Sequence, residues 1–293
     1  MDIYVQPEIL IDGEKSLSIY RSIKISFHHN SFSSFIVSLP SGNDIDISSF
    51  FSGNKRLIGK KITLVLRSGK EKKDDLIFTG FIDQIQFSQN QGLTPDLVIR
   101  AFDPSKMLDG QPDTNTFINM SIEDIVDQVL KPYSKSDLKL KKQNVRNNQK
   151  FEYLVQYKES DYNFLRRIAS ETGNWFYFMG TELFLGNPSK DSERKLYLGN
   201  TLTDFQIDFN TAPYKTKFVG YNFRKSEILD FELKDSDLRT SGNSVAQDLV
   251  KSSGSLYSAG SLVSTGDEFA DLKAGQEKNK VIGESIVSQL VLL

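Results

Sequence analysis

The residues that could do chemistry are few, and their spacing argues against a reaction. Glu152, Glu159, Asp161 and Glu171 lie close together in the chain, and two carboxylates at suitable separation are the machinery of glycoside hydrolysis. Asp161, however, follows Ser160 at the start of a helical pattern, where the positive helix end favours a carboxylate with no catalytic purpose. His28 and His29, the only histidines, are neighbours in a strand pattern. Successive strand side chains point to opposite faces, so the pair does not converge on one metal ion. With no cysteine there is no thiolate ligand, disulfide or cysteine nucleophile. Neither a Gly-x-Ser-x-Gly elbow nor a phosphate-cradling Gly-x-x-x-x-Gly-Lys-Ser/Thr loop occurs. The basic run Lys139, Lys141, Lys142, Arg146 and Lys150 reads as solvated surface, with an acidic partner as the alternative. Trp175-Phe176-Tyr177-Phe178 could pass for a sugar-stacking platform. In a strand, alternation buries half of it, and the exposed half is read as a subunit interface. The expectation is a protein that is not an enzyme, with no catalytic, cofactor or metal site.

The whole composition agrees. A chain of 293 residues that is 38% apolar and 11% aromatic can build real cores. Lysine plus arginine (36) nearly balances aspartate plus glutamate (38), so the net charge gives no attraction to a nucleic-acid backbone. The N-terminus, Met1-Asp2-Ile3-Tyr4-Val5-Gln6-Pro7-Glu8, lacks the basic, apolar, small-residue order of a secretory signal. No apolar run approaches the roughly 18 to 20 residues that span a bilayer. The expectation is a soluble protein made in a reducing cytoplasm.

The elements that would carry these residues follow from periodicity. From about residue 17 to 103, apolar residues alternate as in half-buried strands: Ile23, Ile25 and Phe27; Ile62, Leu64 and Leu66; Phe78 to Ile82 with Ile85 and Phe87; and Leu97, Ile99 and Ala101. Such spacing predicts a small antiparallel barrel or sandwich. After Asp103-Pro104 the period changes. Ser121 caps a helix in which Ile122, Ile125, Val126, Val129 and Leu130 share a face, with Glu123 and Asp124 in the first turn and Lys131-Pro132 at the end. A solvated strand and loop are expected over 139–150. Residues 151–157 alternate as a strand, Ser160-Asp161 opens a second helix presenting Tyr162, Leu165, Ile168 and Ala169, and Gly173 can take the left-handed cap. The aromatic strand at 174–178 turns at Gly180-Thr181 into 182–185.

Strand patterning returns over 196–235, with Lys217 to Phe223 alternating. The serine- and glycine-rich tract 236–266 reads as a loop, and 267–285 as a helix weakened by Gly275. The chain stops at Val291-Leu292-Leu293, which reads as a strand cut in its middle and hence as part of a longer protein. Ile99-Arg100-Ala101-Phe102-Asp103 is echoed by Val219-Gly220-Tyr221-Asn222, a hint of two related barrels. The expected fold class is α+β, β-dominated: two related small antiparallel β-barrels with an α/β insertion between them, the second barrel incomplete. The first barrel would occupy 1–105, the insertion 106–195 and the start of the second barrel 196–235. The loop, helix and returning strand would fill 236–293.

Residues 156–178 carry a resemblance. Gln156, Tyr157, Glu159-Ser160-Asp161-Tyr162, the pair Phe164-Leu165, then Ile168, Gly173 and Trp175-Phe176-Tyr177-Phe178 resemble the signature of the VgrG and phage tail-hub family. That family forms spike hubs of contractile injection systems: type VI secretion, extracellular injection particles and contractile phage tails. The order barrel, insertion, barrel is similar too. The resemblance implies a homotrimer in which two barrels per chain approximate sixfold symmetry. Such a hub joins a hexameric inner tube and the baseplate to a spike tip or effector, and is assembled in the bacterial cytoplasm before export with the particle. It implies no cofactor. Rival readings are a tail-lysin hub fused to a glycan hydrolase and a free carbohydrate-binding β protein.

Overall fold

The computed structural model describes residues 6–17, 20–28, 31–40, 57–67, 76–88, 96–187, 211, 215–223, 225–232, 244–257 and 261–264. His29 and the expected helix at 267–285 lie outside them. The chain divides into two compact units, the second comprising 143–148, 167–174 and 186–293 and the first the remainder.

In the first unit, seven strands form one antiparallel sheet that curls as a half-barrel. They are β1 (Gln6–Ile11), β2 (Glu14–Leu17), β3 (Ser22–Ser26), β4 (Ser34–Pro40), β5 (Lys61–Arg67), β6 (Leu76–Ser88) and β7 (Asp96–Phe102). The order across the sheet is β2-β1-β5-β6-β7-β4-β3. Its register lines up apolar residues from strand to strand: Ile9 faces Leu64, which faces Phe78, and Phe35 faces Ala101, which faces Ile82. All six are buried, and rows of directly opposed side chains are the unit of sheet stability.

The inward set changes parity along β6, from Phe78, Gly80 and Ile82 to Ile85 and Phe87. The register shift between Ile82 and Gln84 explains it: exposed Asp83 is an extra residue, a β-bulge that restores the apolar face after an odd step. The sheet begins earlier than the expected residue 17. Asp12 and Gly13, at φ 52° and 88°, make the two-residue turn between β1 and β2. Asp-Gly is the strongest short hairpin signal, because both positions need positive φ.

A 3-10 turn (Pro104–Leu108) leaves the sheet, capped by Asp103. Buried Asp103 accepts from the Ser33 amide (2.5 Å) and from the Ser105 amide (2.9 Å) and hydroxyl. Burial pushes its carboxyl pKa up against those bonds. Then come β8 (Asp113–Met120), α1 (Ile122–Leu130), β9 (Leu140–Gln143), β10 (Phe151–Glu159), α2 (Asp161–Glu171), β11 (Trp175–Met179) and β12 (Glu182–Gly186). β8 pairs with β10, and β11-β12-β9 forms a three-stranded sheet. α1 has the expected cap and buried face: Ser121 and Asp124 make a reciprocal capping box above Ile122, Ile125, Val126, Val129 and Leu130. β8 was not expected. Its only buried residue is Phe117, so it shows no alternation.

In the second unit, β13 (Thr216–Asn222) pairs antiparallel with β14 (Glu227–Glu232) and parallel with β15 (Ser261–Ser264). The tract expected as a loop over 236–266 contains α3 (Ser244–Leu256). Serine abundance is misleading there, because small Ser253 and Gly254 occupy buried helix positions at the i+4 spacing from Leu249 and Val250.

Gly80 makes a direct test of the sheet. A Cβ there would fall on the Phe102 carbonyl oxygen and within 2.8 Å of the Phe78 ring. Gly80→Ala should cost about 2 kcal/mol or more in urea unfolding, the scale of overpacking; an unchanged midpoint would contradict the described register.

Candidate functional site: a strand-helix junction locked by hydrogen bonds

Gln156, Tyr157, Glu159, Ser160, Asp161 and Tyr162 lie at the junction of β10 and α2. Gln156 points inward from β10 and is fully buried, so every polar atom of its carboxamide needs a partner. Its Nε2 donates to Asp161 Oδ1 (2.8 Å) and to the Glu159 carbonyl (3.0 Å), while its Oε1 accepts from Asn115 of β8 (3.2 Å). Asp161 receives a second bond on Oδ2 from the Tyr133 hydroxyl (2.7 Å). Burial, then the Asp161 carboxylate, pushes the Tyr133 phenol pKa up, which keeps that proton in place.

Between them the chain turns. Lys158 takes φ 50°, and the β8–β10 register shifts between Tyr157 and Glu159. Ser160 begins α2 by accepting from the Asn163 amide (3.3 Å), and its own hydroxyl donates to Asp109 (2.9 Å). Lys106, then Ser160, holds the Asp109 carboxyl below its usual range. The Glu-Ser-Asp triplet is therefore a bend, a cap and a tie.

α2 buries Tyr162, Phe164, Leu165, Ile168 and Ala169. Phe164 stacks on Phe117 of β8, centroids 5.1 Å apart and planes at 13°. Tyr162 lies between Phe32 (4.3 Å) and Phe176 (6.2 Å), and burial pushes its phenol up to about 12. In the second unit the helix ends as expected. Gly173 stands at φ 71°, its amide bonding the Ser170 carbonyl while the Asn174 amide reaches back to Ala169 (2.8 Å), a Schellman ending. Asn174 then exchanges two bonds with the Arg146 backbone (2.8 and 2.9 Å).

The aromatic strand departs from expectation. Phe176, Tyr177 and Phe178 are all buried, Trp175 is half-buried, and only Met179 of β11 is exposed. Tyr177 is covered because Phe184 of β12 stacks on it at 5.1 Å with planes at 8°. A hairpin covered on both faces loses the alternation of a half-wet strand, so no exposed aromatic half is left there for an interface.

Of the acid/base candidates, Asp161 is engaged as described, Glu171 pairs with Arg167 (3.3 Å), and Glu152 is exposed. His28 is exposed and bonds Ser33 Oγ through its amide. Among the described residues no cluster of three or more metal-ligating side chains occurs, and no helix is long and apolar enough to cross a membrane. Much of the basic run is paired locally: Lys139 with Glu182 (2.7 Å), Lys141 with Glu182 (3.6 Å) and the Phe184 ring (5.3 Å), and Lys142 with Glu123 (3.5 Å) and Asp127 (2.7 Å). The partners sequence reasoning missed are Asn115, Tyr133, Asp109 and Lys106. They are polar residues in a strand without alternation and in turns, where no local period marks them.

A curled antiparallel sheet followed by a hydrogen-bonded strand-helix-hairpin unit defines a β-dominated α+β module. The family model of the phage tail baseplate hub (GPD) matches residues 44–279, and the chain belongs to that family. The likeness of residues 156–178 to the VgrG and tail-hub signature agrees. The fold is similar to a tail protein from Neisseria meningitidis MC58, with TM-score 0.60 at 14% identity over 94% of this chain and 74% of that one. It is equally similar to the 43 kDa tail protein of prophage MuSo2 from Shewanella oneidensis (0.60, 15%, 94% and 77%). Prophage tail protein gp18 of Listeria monocytogenes EGD-e follows (0.51, 11%, 94% and 76%). No sequence among the curated proteins matches.

Three measurements check the junction. Asp161→Ala strands the buried Gln156 donor and should cost about 1 to 3 kcal/mol, whereas Tyr133→Phe should cost about 1 kcal/mol, by chemical denaturation. Phe176→Asp or Phe178→Asp should prevent folding itself, read by circular dichroism, because each puts a charge into an apolar site. The depressed Asp109 pKa adds stability above its unfolded value near 4, lost as pH falls through the folded value. Lys106→Gln should therefore flatten the acid limb of a stability-pH curve, by only a few tenths of a kcal/mol after solvent screening.

Proposed function

We propose that the chain is the trimeric hub of the central spike of a contractile injection machine, an adaptor between a hexameric inner tube, the baseplate and the spike tip or an effector. The observation that carries this reading is the baseplate-hub family match over residues 44–279. The use of the signature residues supports it, since Gln156, Ser160, Asp161, Tyr162, Phe164 and Gly173 are all engaged in packing, capping and local hydrogen bonds. On this reading the protein is not an enzyme and uses no cofactor. Its work is geometric: it presents binding surfaces at fixed angles and leaves the cytoplasm with the tube on contraction. The two related barrels and the boundaries near 105, 195 and 235 belong to the same proposal.

Light scattering on the purified full-length gene product tests it. The mass of three chains is expected, together with co-sedimentation with the inner-tube protein of the same gene cluster; a monomer that ignores the tube protein would refute the hub reading. Zymography on peptidoglycan should give no clearing, and clearing would move the assignment to a tail lysin.

A further inference from the structure

Among the described residues, two sheet faces carry clusters of exposed large apolar side chains. On the β8–β10 ribbon, Ile118 stands opposite Tyr153, and Tyr157 opposite Thr114. Ile118, Tyr153 and Tyr157 are 67%, 63% and 64% exposed. All side chains on that face are uncharged, and its one cation sits at the rim, where the Lys158 ammonium lies 5.2 Å from the Tyr157 ring centroid. On β13–β14, Tyr221 stands opposite Ile228 and meets Phe223 edge-on at 5.0 Å. Tyr221, Ile228 and Phe223 are 42%, 68% and 72% exposed. The same face carries Lys217, paired with Asp230 at 2.7 Å, and Glu232 opposite Lys217. It is therefore apolar at one end and net negative at the other.

We propose that these faces cover each other between copies, the β8–β10 face of one chain docking on the β13–β14 face of the next. This rests on the trimeric-hub reading and names its contact. Charge selects the pairing. Ribbon on ribbon leaves Lys158 without a carboxylate, and β13–β14 on itself leaves its excess carboxylate without a cation. Only the mixed pairing brings Lys158 to the Asp230 and Glu232 carboxylates. The area is also appropriate. Six large apolar side chains exposed to this degree remove on the order of 700 Å² from water when the faces meet, enough for the apolar centre of a standard interface. A contact between two different faces is heterologous, so it propagates head to tail, and a ring such as a trimeric hub requires forms where the rotation between copies closes.

Absence of native cysteine makes the test clean. A tagged chain carrying Tyr153→Cys and an untagged chain carrying Phe223→Cys are co-expressed, purified through the tag and treated with a short bifunctional thiol reagent, while light scattering reports the assembly. The expected result is a trimer in which tagged chains crosslink to untagged ones, with few links between like variants. A trimer with no mixed crosslink, or with links only between like variants, overturns this contact and leaves the hub reading standing. A monomer overturns both. Tyr153→Lys, exposed and so neutral to folding, should raise the concentration for half-assembly at least tenfold; an unchanged midpoint counts against the contact.

Discussion

The junction of β10 and α2 depends on one buried carboxamide. Gln156 has no access to water, and a polar group in that position is costly unless every donor and acceptor is engaged. Its partners come from β8, from the bend that follows it and from the first residue of α2. Satisfying one side chain therefore fixes the ribbon register, the bend at Lys158 and the direction in which α2 departs. Asp161 extends the constraint to Tyr133 beyond α1, and Ser160 extends it to Asp109 behind the 3-10 turn. Such a network is favourable only when complete, which ties distant segments of the first unit to one arrangement.

Apolar packing supplies most of the remaining stability. Phe117 on Phe164 and Tyr177 on Phe184 are stacked pairs, and each aromatic ring takes on the order of 150 to 250 Å² out of water. The rows across the seven-stranded sheet do the same for residues 6–102, with the Asp83 bulge preserving the inward face where the strand would otherwise slip. Carboxylates that might suggest catalysis are engaged in this framework or lie on the surface. Polar residues spent in this way fix the shape of the first unit of a chain that belongs to the phage tail baseplate hub family.

Much of this was legible where periodicity was strong. The apolar alternation of β5 and β7, the Ser121 cap, the Gly173 ending and the Gly180 turn all stand where residue type and spacing place them. Three features were not legible, for different reasons. β8 has one buried side chain, so its strand character comes from pairing with β10. α3 lies in a serine-rich tract, and the helix positions that it buries at Ser253 and Gly254 are small rather than large and apolar. The burial of Tyr177 depends on Phe184 covering the second face, a tertiary fact that single-strand alternation does not contain. The junction was legible by resemblance in its helix-side members, whereas Asn115, Tyr133, Asp109 and Lys106 reach it from turns and an unpatterned strand. Asp12-Gly13 is the opposite case, a plain hairpin signal that locates β1 and β2 ahead of the expected start.

On the proposed hub reading the chain acts by assembly. The most direct measurement is electron microscopy of particles from cells with and without the gene, scored for tubes bearing a complete baseplate. Such tubes are expected to disappear without the gene and to return when it is restored. Complete, contractile particles in normal number from cells lacking the protein would contradict it.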